Sequence, residues 1–413
     1  MIRDQIQHTG LNVTFNTTED CNLRCHYCYE TCKTRRALDF DHARKFIDRL
    51  IDDPDPVGAA GTDEEKRVET FVRAGLVADF IGGDSLMDPG LVDRILSYLV
   101  MRLYSSDSPN ARAWRGHWRA NLSSNGTLFS RPDVRAFCEK WRENLSLGVS
   151  IDGCPALHDL NRIFPDGSGS MDSILANWEW YKRNFPFNAL STKSTLSRAS
   201  IPYLHESLVW MHETLGLKYI HQNFIMEDTG CTDSDYAELD RQMEKCVRYT
   251  LDHCDEMCWS MIGRHYADHH AVREDDKNSP RCGSGNMPTL SVDGRIYPCF
   301  RWLPHTQNGK EVFAAGTAEK GLVNKDAFRA VRNGAKRGVC TKDEKCLTCE
   351  YESACSYCIG GCYAEHGDFI RTTHICEITK IQCRWAKVYW NEYNMKKGLP
   401  LEYGGEYRLE ENK

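Results

Sequence analysis

Three cysteines fall in one short stretch, Cys21-Asn22-Leu23-Arg24-Cys25-His26-Tyr27-Cys28. Thiolates at this spacing can hold three irons of a cubic 4Fe-4S cluster, and they leave the fourth iron without a protein ligand. A structural zinc site wants four closed ligands, usually as two CxxC pairs, and no fourth Cys or His stands at zinc spacing here. An electron carrier closes its cluster with a fourth cysteine. An iron left open is placed to bind something else.

A second array follows in the C-terminal third: Cys282, Cys299, Cys346, Cys349, Cys355, Cys358, Cys362, Cys376 and Cys383, with Cys340 close by. Twenty cysteines in a chain whose first residues, Met1-Ile2-Arg3-Asp4-Gln5, carry no signal-peptide apolar region point to metal or redox chemistry rather than a disulfide scaffold. Cys346-Leu347-Thr348-Cys349 and Cys355-Ser356-Tyr357-Cys358 would on their own admit a zinc ribbon. Beside the first motif, iron-sulfur is the better reading. Exposed clusters and thiolates are lost to oxygen, so a reduced, anaerobic cytoplasm is the expected setting.

The elements around the first motif read as repeated βα units. Leu11 to Thr17 alternates apolar and polar residues as a strand that delivers the cysteine loop. Leu38 to Ile51 has helical spacing with Asp39 as cap, and Asp52 to Gly75 reads as a loop with a short solvated helix. Strands are expected at Leu76 to Ile81, Trp118 to Ser124, Leu145 to Ile151, Leu190 to Leu196 and Tyr219 to Met226. Helices are expected at Pro89 to Leu103, Pro132 to Glu143, Met171 to Arg183 and Ile201 to Leu215. This alternation predicts a parallel sheet with its site at the strand C-termini, in a full or partial barrel or a doubly wound sheet. Gly294 after Asp293 marks a hairpin in the cysteine-rich part.

Several residues after the strands could meet a ligand. Ile81-Gly82-Gly83-Asp84-Ser85 ends the second strand, where glycines permit close backbone approach. Ser124 and Asn125 end the third strand, Ser150 and Asp152 the fourth, and Lys193 and Thr195 lie on the fifth. Capping or turn duty competes with ligand contact at each polar side chain. His265 and His269 have an i, i+4 spacing able to bind zinc, but with no glutamate base between them they and His270 read as an exposed helix face. A net charge of −7 without a basic stripe argues against nucleic acid, and no apolar run is long enough to span a membrane.

The CxxxCxxC spacing of Cys21, Cys25 and Cys28 resembles the signature of radical S-adenosylmethionine (SAM) enzymes. That resemblance implies a partial (β/α)6 TIM-like barrel and a SAM molecule chelated to the open iron and split to a 5'-deoxyadenosyl radical. It also implies that Tyr27 lies against the adenine and that Gly82, Gly83 and Asp84, in place of a Gly-Gly-Glu-Pro motif, meet the SAM amino group. Ser124, Asn125, Ser150 and Asp152 match positions that contact SAM or line the substrate cavity.

The second array is similar to a SPASM extension with two auxiliary 4Fe-4S clusters, three clusters in all. By motif, Cys346, Cys349, Cys355 and Cys376 enclose one, while Cys282, Cys299 and Cys358 hold the other, with room for an open iron. Cys340, Cys362 and Cys383 depart from the pattern and compete as ligands. The implied organisation is a barrel over 1–227, a helical linker over 228–281 and a SPASM domain with a C-terminal helix over 282–413.

Phe80 to Gly83, Ser150 to Gly153, His158 to Gly167, Cys282 to Met287, Tyr297-Pro298-Cys299 and Thr373 to Cys376 carry the likeness further. These stretches resemble radical SAM peptide maturases whose precursors contain Cys-x-x-x repeats. The resemblance implies thioether crosslinks of the ranthipeptide type in a ribosomally synthesised precursor peptide. An external flavodoxin or ferredoxin would supply electrons. Leader recognition would fall to the catalytic domains or a separate leader-binding protein, since little sequence precedes the first strand for a winged helix. The rivals are carbon-carbon crosslinking, epimerisation or sulfatase-maturase-type oxidation with the same cofactors, and a non-catalytic iron-sulfur carrier that binds no SAM.

Overall fold

The computed structural model describes residues 10–30, 33–274, 277–280 and 282–410. Met1 to Gln5 and Arg281 lie outside them. The N-terminal half is the expected parallel wall. Strands β1 (Leu11–Thr18), β2 (Leu76–Gly82), β3 (Trp118–Ser124) and β4 (Leu145–Val149) lie side by side in sequence order. β5 (Ser191–Leu196) and β6 (Tyr219–Phe224) continue the wall through a parallel bridge between Ser150 and Lys193.

Helices coat the outer face. Phe15 of β1 stacks on Phe80 of β2 at 5.4 Å and meets Phe46 edge-on at 5.6 Å. Phe46 belongs to the helix Phe40–Asp52, whose N-cap is Asp39, as expected. Because side chains alternate along a strand, Asn12, Thr14 and Asn16 face the other way, toward the lumen. On β6 the same alternation leaves Tyr219, His221 and Asn223 exposed while Ile220, Gln222 and Phe224 are buried.

Four elements differ from expectation. The helix expected over Met171 to Arg183 is broken into Met171–Leu175 and Trp178–Asn184; Asn177 at the break donates to Ser173 O and accepts from Arg135. Ile201 to Leu215 begins as a 3-10 turn through Pro202 and becomes α-helical only from Leu204, since proline has no N–H for an interior helical bond. A two-residue strand β7 (Cys258–Trp259) pairs with β6 inside the expected helical linker, too short to leave a period in the sequence. The helix Glu65–Ala74 is only half solvated, for Val68 and Val72 enter the core.

The cysteine-rich half joins this wall directly. β8 (Thr289–Leu290) pairs parallel to β1 at Thr14 and Phe15 and turns through Gly294, at φ 78°, into antiparallel β9 (Arg295–Tyr297). β10 (Gly316–Thr317) and β11 (Gly321–Leu322) extend the edge. A helix Cys376–Lys396 packs back on the helix Asp233–Asp252 and on the turn Ser260–Ile262.

The ends of β1 and β2 stay in contact beyond the strands: Gly83 N–H donates to Thr18 O and Asp84 N–H to Asp20 O, both at 2.9 Å. A Cβ on Gly83 would lie 1.9 Å from Asp20 O and 2.9 Å from Cys21 Cβ, and one on Gly82, at φ 146°, 2.1 Å from Thr18 O. The close approach these glycines permit is therefore to the chain's own backbone at the start of the cysteine loop. Gly83→Ala forces that backbone apart. We expect a loss of at least about 1–3 kcal/mol in stability, read as a lower melting temperature, together with less iron bound per chain; an unchanged melt would refute this packing account.

Candidate active site

The cysteine loop closes the C-terminal mouth of the barrel, where parallel-barrel sites lie. Cys21 N–H donates to Asp20 Oδ1 at 2.9 Å, and Cys28 N–H to Cys25 O at 3.2 Å, which folds the loop on itself. Arg24 N–H donates to Ile163 O at 2.7 Å and His26 N–H to Asn161 O at 3.0 Å. The stretch 158–165 is thus a clamp on the loop.

That clamp is itself held by a buried network. His158 is fully enclosed, and burial followed by the Arg162 charge pushes its pKa down to about 3, so the ring is neutral. Nδ1 accepts from Asp152 N–H at 3.3 Å, which leaves Nε2–H to donate to Ser170 Oγ at 3.0 Å. The Asp152 carboxylate, 0 % exposed, accepts from Arg162 Nε at 3.0 Å, Thr195 N–H at 2.9 Å and the Tyr27 hydroxyl. Arg162 also lies 5.4 Å over the Tyr27 ring. Asp152 therefore ties Tyr27, on the cysteine loop, to the end of β4.

Asp84 occupies a comparable position after β2. Its carboxylate accepts from Leu86 N–H at 3.0 Å, Asn125 N–H at 2.8 Å and Ser124 Oγ at 2.9 Å. Burial pushes this carboxyl above the ordinary range, and those donors offset only part of the rise. Asn125 Nδ2 donates to Asn22 Oδ1 at 2.8 Å and lies 3.8 Å from Cys21 Sγ. Ser150 sits beside Ser124, its N–H donating to Ser124 O at 2.9 Å. The structure brings Tyr27, Gly82, Gly83, Asp84, Ser124, Asn125, Ser150 and Asp152 to this one mouth. Lys193 crosses β4 above Gly148, whose missing side chain leaves the space, and its ammonium meets Ser123 of β3.

Two of the three sulfurs accept hydrogen bonds. Cys21 Sγ accepts from Leu23 N–H at 3.4 Å, and Cys28 Sγ from Lys33 Nζ at 3.2 Å. Burial, then the Asp84 charge, pushes the Cys21 thiol up to about 12; burial also raises Cys25. Thiolates there need a cation beside them. Asn16, on the lumen side of β1, is fully buried, and neither its carboxamide nitrogen nor its oxygen meets a partner among the described residues. A buried amide of that kind calls for a polar neighbour, as an iron-sulfur cluster or SAM would provide. The donor set fits that group.

Other residues of the site left no sequence signal. Lys33 also pairs with Glu30 at 3.0 Å. His305, from the cysteine-rich half, stands 3.7 Å from Glu19 and 3.9 Å from Glu30. Burial raises the Glu30 carboxyl, but the His305 and Lys33 contacts outweigh it and hold it below the usual range. Arg301 lies 4.7 Å over Tyr29 and bonds Glu227 at 2.8 Å, and Phe300 approaches Tyr29 at 6.1 Å. Tyr29 follows ligand candidate Cys28, and Phe300 follows Cys299. The two halves meet through neighbours of their cysteines.

The cysteines from Cys282 onward gather in two groups. Burial pushes the Cys299 thiol up to about 12, and the charges of Cys358 and Cys282 add to it. Cys340 acts on Cys282, and Cys362 feels both Cys358 and Cys340. In the second group Cys376, raised by burial to about 11, feels Cys355 and Cys346, and Cys383 feels Cys355 and Cys349. So Cys340 and Cys362 stand with the first group and Cys383 with the second. Between the sets, buried Arg371 pairs with Glu352 at 2.7 Å and lies 5.0 Å over Tyr357, whose hydroxyl is 3.2 Å from Cys340 Sγ. His265 lies in the short helix Arg264–Ala267, but His269 falls beyond its end and faces Glu350 O at 3.0 Å.

No family model matches the chain. One curated relative, the uncharacterized protein MJ0907 of Methanocaldococcus jannaschii, is 24% identical over 209 residues, which cover 50% of this chain and 59% of that protein. Among solved structures, native anSMEcpe with bound AdoMet (SAM) aligns with a TM-score of 0.63 at 14% identity, covering 94% of this chain and 97% of that one. The same protein with AdoMet and the Cp18Cys peptide gives 0.62 at 14% identity, with 94% and 97% covered. Streptococcus suis SuiB bound to precursor peptide SuiA gives 0.54 at 13% identity, with 88% and 75% covered. The chain thus has the fold of SPASM-domain radical SAM enzymes, a parallel partial barrel followed by a cysteine-rich unit.

Proposed function

We propose that the protein is a radical SAM peptide maturase that forms thioether crosslinks in a ribosomally synthesised precursor. The observation that carries this reading is the loop of Cys21, Cys25 and Cys28 at the barrel mouth, buttressed by Gly83 and Asp84 and meeting, through Tyr29 and Phe300, the part of the chain that carries two further cysteine groups. Cys21, Cys25 and Cys28 would hold the SAM-binding 4Fe-4S cluster. Cys282, Cys299 and Cys358 would hold one auxiliary cluster, and Cys346, Cys349, Cys355 and Cys376 the other. When bound, SAM on the open iron supplies a 5'-deoxyadenosyl radical able to take a hydrogen atom from a peptide residue.

The chain's own residues set the conditions. Asp84, bonded by Leu86, Ser124 and Asn125, fixes the backbone of the turn that the resemblance places beside the SAM amino group. Tyr27 is held by Asp152 so that its ring position does not wander. Lys193, His221 and Asn223 give the lumen a polar wall for an extended peptide. Holding both reacting residues of one peptide there supplies the orientation that free solution lacks. Each link would remove a hydrogen atom from carbon, taken by the deoxyadenosyl radical, and a proton to solvent and an electron to an oxidised iron-sulfur cluster from the thiol, two hydrogens in all. An external flavodoxin or ferredoxin is the expected donor, and a separate protein can serve leader binding.

A second reading keeps the cofactors and changes the product, to sulfatase-maturase-type oxidation, carbon-carbon crosslinking or epimerisation. It is favoured by the higher score against the anSMEcpe structures than against SuiB. An anaerobic assay with SAM and a Cys-x-x-x-repeat precursor separates the two. Thioether formation predicts deoxyadenosine and a peptide lighter by two hydrogens per link with thiols lost; deoxyadenosine with thiols intact selects the second reading. Replacing Cys21, Cys25 and Cys28 together by alanine abolishes deoxyadenosine while auxiliary iron stays bound; retained cleavage contradicts the ligand assignment.

Lys33 offers a subtler test. A cationic donor on a ligand sulfur favours the reduced cluster, because hydrogen bonds and local charge set iron-sulfur potentials. In Lys33→Met the SAM-site cluster should assemble at normal iron content with a more negative midpoint potential, restored toward the original by Lys33→Arg. Equal potentials in all three proteins would remove Lys33 from the account.

A further inference from the structure

At the base of the barrel, away from the cysteine loop, two helix ends bring three ligand-bearing side chains together. His212 lies in the last turn of the helix Leu204–Glu213, and His253 is the C-cap of the helix Asp233–Asp252. Glu256 follows in a turn, its N–H donating to His253 O at 2.9 Å. Both segments lead into the N-terminal ends of strands, β6 at Tyr219 and β7 at Cys258. β6 is six residues long, which puts roughly 20 Å of strand between this end and the mouth.

The ligand atoms converge. Glu256 Oε2 lies 3.4 Å from His253 Nδ1 and 3.7 Å from His212 Nε2, and one atom from each residue lies within 4.8 Å of the other two. Zinc bonds of about 2.0–2.2 Å in a tetrahedron separate ligand atoms by roughly 3.3–3.6 Å. Two edges of such a site are therefore at or near their final length.

The far nitrogen of His212 gives the second indication. Nδ1 is 2.7 Å from the Tyr249 hydroxyl, and that hydroxyl donates to Glu213 Oε1 at 3.2 Å. A hydroxyl has one proton to give. In the arrangement where that proton goes to Glu213, Nδ1 of His212 carries the hydrogen and donates to Tyr249, and Nε2 turns a lone pair to the Glu256 carboxylate. Lone pair against carboxylate is repulsive, and a cation between them makes the contact favourable. A carboxylate-tyrosine chain behind an imidazole is also how metal sites hold a ligand in the required tautomer.

We propose that His212, His253 and Glu256 bind a divalent transition metal of the zinc class, with the fourth position open to water. Two imidazoles and one carboxylate suit zinc better than calcium or magnesium, which prefer all-oxygen sets. The metal would join the ends of two barrel helices, separately from the iron-sulfur sites. This inference does not depend on the proposed peptide chemistry.

The test uses the protein with its iron-sulfur clusters loaded anaerobically, so that cluster cysteines are occupied. It is equilibrated with Zn2+, desalted through a weak chelator and assayed for zinc and iron by mass spectrometry. The comparison is Glu256→Gln, chosen because this side chain is 63 % exposed and its replacement disturbs no packing. Wild type should retain one more zinc per chain than Glu256→Gln or His253→Gln at equal iron, with only nitrogen and oxygen ligands in the zinc X-ray absorption spectrum. Tyr249→Phe should weaken zinc binding about 10- to 100-fold without removing a ligand. Equal zinc in wild type and variants, or sulfur in the zinc shell, overturns the assignment.

Discussion

Cys21 and Cys25 sit where burial raises their thiols, Cys21 to about 12, so a nearby positive charge is what favours thiolates at the mouth of this barrel. Much of the surrounding structure answers that constraint. The sulfurs must also be held in one small volume by a loop that has no regular hydrogen bonding of its own. β1 and β2 supply one wall through the contact of Gly83 with Asp20, residues 161–163 supply another, and Asn22 with Asn125 a third. Asp152 and Asp84, both buried, spend their lone pairs on this scaffolding. Removing one partner of a buried charge pair such as Arg162 with Asp152 typically costs about 3–5 kcal/mol, which makes the clamp a rigid one.

The same loop is where the two halves of the chain are joined. His305 reaches from the cysteine-rich half to within 4 Å of Glu19 and Glu30, and Glu30 in turn holds Lys33 against Cys28. Tyr29 and Phe300, each next to a cysteine of a different group, lie in contact distance. Displacing one half would therefore disturb the sulfur environment of the other. β8 adds to this coupling by extending the barrel sheet at the free edge of β1.

Much of this was legible in the sequence. Strands β1 to β6 lie within two residues of their expected ends because alternating apolar residues and flanking turns mark them strongly, and the Gly294 hairpin follows from its turn residues. The cysteine loop was visible because three thiols at that spacing can hold three irons of a cubic cluster. What stayed hidden is tertiary. Lys33, Glu30 and His305 are ordinary charged residues until the fold buries them together. Cys340, Cys362 and Cys383 could not be sorted by spacing, since they sit on three separate helices, Arg337–Cys340, Ile359–His366 and Cys376–Lys396, and only the packing of those helices decides which group each joins. Gly82 and Gly83 announced a close approach without saying to what. β7 was too short for periodicity, and Asn177 broke a helix whose pattern reads as continuous.

Electron paramagnetic resonance of the anaerobically reconstituted, reduced protein, recorded before and after SAM is added without any peptide, tests the central claim most directly. If an open iron is held by Cys21, Cys25 and Cys28, SAM alters the g-values of one cluster signal and leaves the rest unchanged, and the change vanishes in the triple alanine variant. Spectra that are superimposable with and without SAM, in a protein carrying its full iron, would contradict the account.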